Sequence, residues 1–225
     1  MTTTESLALV IILIGIVGIL VVLLLLPILY GLPWVPTRRS RIRSALDLAR
    51  VSPGEVVYDL GAGDGRVLIT AARDYGARAI GIEISPLLCL IARLAALVNG
   101  VSDRVRIRLG NLHRVELEDA DVVFAYLTAG QAERLRLRLE SQLRAGARVV
   151  TVASDFRGWE PAAIDRQDLI FLYEMPPRPG DVGSYLARES SFGQGTQEPR
   201  PGIGTTHSDG WSCRSDLGSE WGRQP

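Results

Sequence analysis

Apolar residues are distributed along the chain in two different ways. Residues 7–30 carry no charged side chain and consist mainly of Leu, Ile and Val. At about 1.5 Å per residue, a helix of this length exceeds the roughly 30 Å hydrocarbon core of a bilayer. A buried core helix is rarely apolar on all sides over such a length. We therefore expect a transmembrane helix at 7–30, preceded by a short tail at 1–6.

Beyond residue 52 the apolar stretches become short and alternate with amphipathic ones. The pattern predicts strands at 56–60, 78–84, 104–109, 121–126, 147–153 and 169–173, and helices at 66–75, 86–99 and 131–144. The last strand is expected to be antiparallel and at a sheet edge, and the pattern at 161–167 does not decide between strand and loop. Alternating strands and helices indicate an α/β fold, doubly wound and Rossmann-like with a mostly parallel sheet, which we place at 53–178.

Two segments of different composition flank this domain. Residues 31–52 comprise a Pro-rich exit from the apolar segment and an amphipathic helix at 39–50, whose arginines we expect on anionic headgroups. From residue 188 onwards Ser, Gly, Thr, Gln and Pro dominate. Such a segment buries too little apolar surface to offset the entropy cost of ordering, so 188–225 is predicted to be disordered.

The charges around the apolar segment predict its orientation. Five arginines follow it between residues 38 and 50, whereas Glu5 is the only charged side chain before it. The positive-inside rule then places the C-terminal domain in the cytoplasm. A cleaved signal peptide is the alternative, but it normally begins with basic residues and has a shorter apolar region. We therefore predict a single-pass membrane protein with an uncleaved anchor and a cytoplasmic domain.

Overall composition narrows the range of partners. The 25 basic and 25 acidic side chains give a net charge of zero, so no global field attracts nucleic acid, and none is expected as a partner. Cys89 and Cys213 are far apart and lack the spacing of metal ligands, so no metal site is predicted. Every basic residue apart from histidine is an arginine, because the chain contains no lysine.

Three glycines at alternate positions, Gly61, Gly63 and Gly65, follow the first predicted strand. Asp59 precedes them, and Glu83 stands at the end of the next predicted strand. Because the carboxyl ends of neighbouring parallel strands meet at one edge of the sheet, we expect both carboxylates to face one crevice. A pair of carboxylates suits a nucleoside that has a ribose diol and a cationic or polar tail.

The glycine spacing argues against a dinucleotide cofactor. Dinucleotide-binding folds use G-x-G-x-x-G, with the phosphates at the helix N-terminus. Here the third glycine comes four residues after the first, and the acidic Asp64 occupies the turn that a pyrophosphate would approach. The negative charge of Asp64 would repel that phosphate.

The run D-L-G-A-G-D-G-R at 59–66 closely resembles motif I of the class I, seven-strand S-adenosylmethionine-dependent methyltransferases, and Gly81-Ile82-Glu83 resembles their ribose-binding acidic motif. The resemblance implies S-adenosyl-L-methionine as the cofactor and methyl transfer as the reaction. In this class an Asp or Asn at the place of Asn111 hydrogen-bonds the adenine amino group, an ordinary turn Asn being the alternative. The implied cofactor-binding residues are Asp59, Gly61, Ala62, Gly63, Asp64, Gly65, Glu83, Ile84, Asn111 and Leu112.

The methyl acceptor is expected at the ends of the fourth and fifth strands. Methyl transfer requires an in-line nucleophile about 3 Å from the methyl carbon, and an amine must first be neutral, which desolvation favours. Tyr126 and Asp155 are the candidate catalytic residues, and Phe156 and Trp159 are candidates for an aromatic pocket, with core packing as the alternative for each. The fourth strand lacks the Asn/Asp-Pro-Pro-Tyr sequence of enzymes that methylate base amino groups. For His113, a surface loop position is favoured over a role as base.

Several features together resemble the small membrane-anchored protein-lysine methyltransferases that modify the c-ring protein of the ATP synthase and the adenine nucleotide translocase. They are the anchor, the exit Leu-Pro-Trp-Val-Pro at 32–36, motif I, and Asp-Phe-x-x-Trp-x-Pro at 155–161. The resemblance, over roughly 20–175, implies a lysine acceptor in a membrane protein and a segment at 33–37 that helps to close the cofactor site. Two alternatives stay open, a lipid or quinone methyltransferase and a non-catalytic nucleoside-binding scaffold, although the intact motif speaks against the scaffold.

Overall fold

The computed structural model describes residues 3–29 and 36–193. Helix α1 spans Thr3–Leu29. Its segment Thr4–Val22 is long and apolar enough to cross a membrane, and none of that segment is buried against the rest of the protein. The exit segment at 31–35 and the predicted tail beyond residue 193 lie outside the described residues.

The remaining elements form a three-layer α/β domain. The strands are β1 Val56–Leu60, β2 Arg78–Glu83, β3 Val105–Leu109, β4 Val122–Tyr126, β5 Arg148–Val152, β6 Trp159–Glu160, β7 Ala163–Asp165, β8 Ile170–Glu174 and β9 Arg178–Pro179. The helices after α1 are α2 Arg39–Leu48, α3 Arg66–Asp74, α4 Pro86–Val98, α5 Ala129–Gln142 and α6 Val182–Gly193. Each strand and helix predicted from the sequence within this domain agrees with these bounds to within two residues.

Seven strands form the central sheet in the order β3-β2-β1-β4-β5-β8-β7. The first five are parallel, whereas β8 is antiparallel to both β5 and β7. Strands β6 and β9 pair separately. The predicted mostly parallel, Rossmann-like sheet is therefore confirmed.

The core lies on both faces of the sheet. On one face α2, α3 and α4 pack through buried residues such as Ile42, Leu68 and Ala92. On the other face α5 packs through Leu135 and Leu139. Two helices have side-chain caps that explain where they begin. Ser85 accepts a hydrogen bond from the backbone of α4, and Thr128 forms a capping box at the start of α5.

Two expectations differ from the structure. Strand β8 is not at the sheet edge, because β7 pairs outside it, and with three residues β7 is too short for its apolar alternation to be recognised. The predicted disorder from residue 188 is wrong for 188–193, which belong to α6. Arg188 pairs there with Glu160 at 2.6 Å, and Arg166 with Glu189 at 2.5 Å, so polar contacts hold a helix that apolar content alone does not predict.

The basic side of α2 and its C-terminal turn is less available than the sequence suggested. Three of its arginines form salt bridges with acidic residues of the domain, namely Arg41 with Asp168, Arg43 with Asp74 and Arg50 with Glu174. These arginines therefore help to attach α2 to the domain.

Candidate active site

The crevice lies where the strand order reverses. Strands β2 and β3 lie on one side of β1, and β4 and β5 lie on the other. Open α/β sheets bind ligands at this switch point, beyond the carboxyl ends of the strands. The loop from β1 to α3 folds back onto β2 here, because the backbone N–H groups of Gly61 and Ala62 donate to the Ile82 carbonyl oxygen at 2.9 and 3.0 Å.

Two glycines of this loop are required by geometry. Gly61 and Gly65 have φ angles of +102° and +79°, which side-chain-bearing residues rarely adopt. A Cβ atom at Gly65 would also lie 2.9 Å from the Cβ of Ala92 on α4. The loop therefore lies close to α4 and leaves its backbone accessible above β1.

Glu83 is buried and fixed by two backbone donors. Its Oε2 accepts a hydrogen bond from the Gly63 N–H at 2.8 Å, and its Oε1 accepts one from the Ser85 N–H at 2.9 Å. Each carboxylate oxygen keeps a second lone pair. The side chain is thus held in one orientation at the end of β2 and can still accept hydrogen bonds from a diol.

Asp59 is buried at the end of β1 and accepts no hydrogen bond from any residue in the described part of the chain. Burial, and after it the charges of Glu83 and Asp64, raises the pKa of Asp59 to about 8. A buried carboxyl without a partner is costly. The site therefore has an unmet demand for a hydrogen-bond donor, which a cationic group of a ligand would satisfy.

Asp64 connects the glycine loop to the segment that precedes α2. Arg66 donates to the Asp64 carboxylate through Nε at 2.9 Å and Nη2 at 2.6 Å, while its Nη1 donates to the Thr37 carbonyl oxygen at 3.0 Å. The hydrogen bonds from Arg66 to Asp64 raise the pKa of Arg66, so the guanidinium stays charged. Thr37, which is buried, is thereby held against the loop.

Three further candidates follow β2 and β3. Ile84 is half-buried directly after Glu83, and Leu112 is buried in the core. Asn111 is exposed, and its Oδ1 accepts from the His113 N–H at 2.9 Å, which caps the single 3-10 turn Leu112–Arg114. The Gly110 N–H donates to the Glu83 carbonyl oxygen at 2.9 Å, so the ends of β2 and β3 lie together.

Tyr126 and Asp155 lie at the ends of adjacent strands. Tyr126 is half-buried at the last position of β4 and pairs with Val152 of β5. The Ser154 hydroxyl donates to the Leu127 carbonyl oxygen at 2.8 Å, which attaches the loop after β5 to the end of β4. Asp155 follows on this loop and is exposed.

The predicted aromatic pocket is wrong for Phe156 and Trp159. Both are buried, and their ring centroids are 4.6 Å apart, with Tyr173 of β8 in edge contact at 5.3 and 5.5 Å. The Trp159 indole N–H also donates to Glu140 Oε1 at 2.7 Å. These two residues belong to the core and position the loop that carries Asp155.

Other residues near the crevice have supporting roles. His113 follows β3, which is separated from β4 by β2 and β1, so it lies away from the Tyr126 end of the site. Burial lowers the pKa of His113, followed by the charges of Arg134 and Arg138. Sequence reasoning missed Ser85, whose N–H orients Glu83, although its place before Pro86 marks it as a helix cap. In residues 3–29 and 36–193, no His, Cys, Asp and Glu side chains form a group of three or more that could hold a metal ion.

Comparison with known proteins identifies the family. Residues 59–163 match the model of the ANTKMT methyltransferase domain. A protein-lysine N-methyltransferase of Saccharolobus islandicus is 40% identical over 133 residues, which cover 59% of this chain and 83% of that one. The chain belongs to the ANTKMT methyltransferase family. It is therefore an S-adenosylmethionine-dependent methyltransferase.

Further relatives differ in their named acceptors. The adenine nucleotide translocase lysine N-methyltransferase of Mus musculus is 34% identical, with 66% of each chain covered. A lysine N-methyltransferase of Xenopus laevis, named for the c-ring protein of the ATP synthase, is 30% identical, with 64% of each covered. An RNA methyltransferase of Salinibacter ruber, solved with S-adenosyl-L-homocysteine, is 40% identical with a TM-score of 0.63, covering 65% of this chain and 98% of that one. Since that ligand is the demethylated product, S-adenosyl-L-methionine is the cofactor.

Proposed function

We propose that this methyltransferase transfers methyl groups to lysine side chains of a membrane protein, and that α1 anchors it in the bilayer with its catalytic domain in the cytoplasm. The observation that carries the proposal is the pair of buried carboxylates, Asp59 and Glu83, beside the glycine loop of a chain that also has an apolar helix of membrane-spanning length. The names of three relatives support a lysine acceptor.

The residues of the crevice fit the parts of the cofactor. Glu83, held by two backbone donors, has lone pairs for the ribose hydroxyls. Asp59 lacks a donor and would accept from the ammonium group of the methionine part. The glycine loop lets the backbone approach the nucleoside, and Asn111 presents an amide to the adenine edge. When bound, the cofactor supplies a methyl group on a positively charged sulfur, which makes that methyl group electrophilic.

Tyr126 and Asp155 would act on the acceptor. A lysine reaches the enzyme as an ammonium ion, and the exposed Asp155 carboxylate would attract it to the end of β5. The amine must lose its proton before it can attack, and partial desolvation beside the half-buried Tyr126 lowers the pKa of an ammonium group. The Tyr126 hydroxyl can then hold the neutral amine in line with the methyl group.

Membrane anchorage is supported by the length and apolarity of α1 and by the arginines that follow it. An anchor restricts the active site to the region next to the bilayer. This raises the effective concentration of membrane-protein acceptors without any additional contact. The proposed acceptors are therefore lysines in short cytoplasmic loops or helix ends of integral membrane proteins.

Label transfer distinguishes the proposed acceptor from the alternatives. Membranes and total RNA from cells lacking this chain would be incubated with the full-length enzyme and methyl-labelled cofactor, and then separated into protein, lipid and RNA. We expect the label on protein lysine, and none when Glu83→Ala replaces the wild type. Because the enzyme contains no lysine, a labelled lysine must belong to another protein. Label confined to lipid would contradict the proposal, as would label confined to RNA, the acceptor named for the Salinibacter ruber relative.

A further inference from the structure

Helix α4 is apolar on two opposite sides. Leu88, Cys89, Ala92 and Ala96 face the core and are buried. A second row at helical spacing faces outward and is exposed, and we call it the outer α4 face: Leu90, Ile91, Leu94, Leu97 and Val98. Val98 is 86% exposed and Leu97 63%. A helix that is apolar all round is normally buried, and a contiguous exposed apolar patch indicates a contact surface.

A basic groove of about 410 Å³ lies beside the outer α4 face, between α4 and the edge strand β3. Arg93, Arg106 and Arg108 line this groove together with Ser102 and apolar residues, and no carboxylate does. None of the three arginines forms a salt bridge with a residue in the described part of the chain. This differs from α2, where Arg41 and Arg43 pair with acids of the domain.

The position of α1 relates this surface to the bilayer. Residues of α1 lie next to α4. The outer α4 face remains exposed with α1 in place. After α1 the chain enters the domain through α2, which packs on the same side of the sheet as α4. Insertion of α1 into a membrane would therefore bring this side of the domain to the lipid surface.

We propose that the outer α4 face and the adjacent arginine groove dock the domain onto an anionic phospholipid surface. The leucines enter the boundary between headgroups and acyl chains, and the arginines bind headgroup phosphates, as in interfacial amphipathic helices. An RNA partner would use the arginines but leave the leucines without a role. With α4 parallel to the surface, the crevice, which lies at the N-terminal end of this helix, opens sideways just above the headgroups. The inference rests on the proposed anchorage by α1.

Lipid quenching tests this docking in the full-length protein. A fluorophore would be attached to single cysteines in a Cys213→Ser background, in which the remaining Cys89 is buried. The protein would be reconstituted in vesicles of phosphatidylcholine and phosphatidylglycerol that contain a doxyl-labelled quencher lipid. Leu97→Cys reports on the outer α4 face. Leu137→Cys on α5 is the matched control, because the exposed fractions of the two leucines are 63% and 62%, and Ile14→Cys reports on α1.

We expect strong quenching at Ile14 and Leu97 but not at Leu137, and weaker quenching at Leu97 in vesicles of phosphatidylcholine alone. Quenching at Ile14 with equal, weak signals at Leu97 and Leu137 would overturn the docking while leaving the anchor intact. An unquenched Ile14 would overturn both. A Leu97 probe that is shielded but not quenched by lipid would show that α1 covers α4 and would equally overturn the docking, as would a Leu97 probe that responds to RNA instead of lipid.

A functional readout accompanies the quenching. The double variant Leu94→Glu, Leu97→Glu should lower methylation of membrane acceptors about tenfold, because docking is lost, while affinity for the cofactor stays unchanged. Leu137→Glu, on the opposite face, should leave both unchanged. Equal methylation by the double variant and the wild type would contradict the docking.

Discussion

Replacement of Asp59 by Asn should stabilise the protein in the absence of cofactor, and increasingly so as the pH rises. The pKa of Asp59 is raised from 3.8 to about 8, with burial as the largest cause. Between these two values the folded protein binds a proton that the unfolded chain has released. The stability of the wild type therefore falls as the pH rises through this window, and the loss is complete above pH 8.

The magnitude follows from the shift in pKa. One pKa unit corresponds to about 1.36 kcal/mol, so ionisation of Asp59 destabilises the folded, cofactor-free protein by about 5 kcal/mol at the alkaline end of the window. Asn has nearly the same shape and carries no charge. The free energy of unfolding of Asp59→Asn should equal that of the wild type near pH 4 and exceed it progressively towards pH 8.

Urea unfolding of the full-length chain in a nonionic detergent, followed by tryptophan fluorescence at several pH values, measures this difference. Saturation with S-adenosyl-L-homocysteine should reduce the pH dependence of the wild type, because its ammonium group partners the ionised carboxyl. Asp155→Asn, at an exposed carboxylate, serves as the control and should show the pH dependence of the wild type. If the curves of wild type and Asp59→Asn run parallel across the pH range, the buried and unpartnered state of Asp59 is refuted.

Three further predictions concern the end of β2, the contact of Arg66 with Thr37, and the anchor. Glu83→Gln should weaken cofactor binding tenfold to a hundredfold in calorimetry, because both carboxylate oxygens accept from backbone donors and an amide N–H₂ would face one of them; unchanged affinity would contradict the site. Arg66→Ala should release Thr37 from the glycine loop and lower cofactor affinity about tenfold, and Arg66→Lys should restore little of it, since lysine lacks the fork that binds Asp64 through two nitrogens. Full rescue by lysine would count against this geometry. A reporter active only in the cytoplasm should work when fused after Pro225 and fail when fused before Leu7, and the reverse result would refute the proposed topology.

The sequence predicted the fold well where local signals decide it. Strand and helix bounds followed from apolar periodicity and from the caps at Ser85 and Thr128, which depend on neighbouring residues. The short strand β7 gave no such signal, since three half-buried residues do not establish a period. Helix α6 is held by ion pairs whose partners are distant in sequence, such as Arg166 with Glu189.

The candidate site shows the same division. The crevice followed from Asp59 and Glu83, because parallel strands bring their carboxyl ends together whatever the rest of the chain does. The burial of Phe156 and Trp159 depends on Tyr173, which arrives from an antiparallel strand whose neighbours the pattern did not fix. The contact of Arg66 with Thr37 joins residues 29 positions apart through a backbone carbonyl, which leaves no trace in side-chain pattern.

The most direct test of the account is mass spectrometry of integral membrane proteins from cells that express either the wild type or the Glu83→Ala variant. The two cell lines should differ by methylation of lysines in cytoplasmic segments, present with the wild type and absent with the variant. Identical lysine methylation in both lines, with a methylated lipid or RNA that appears only with the wild type, would contradict the proposed acceptor.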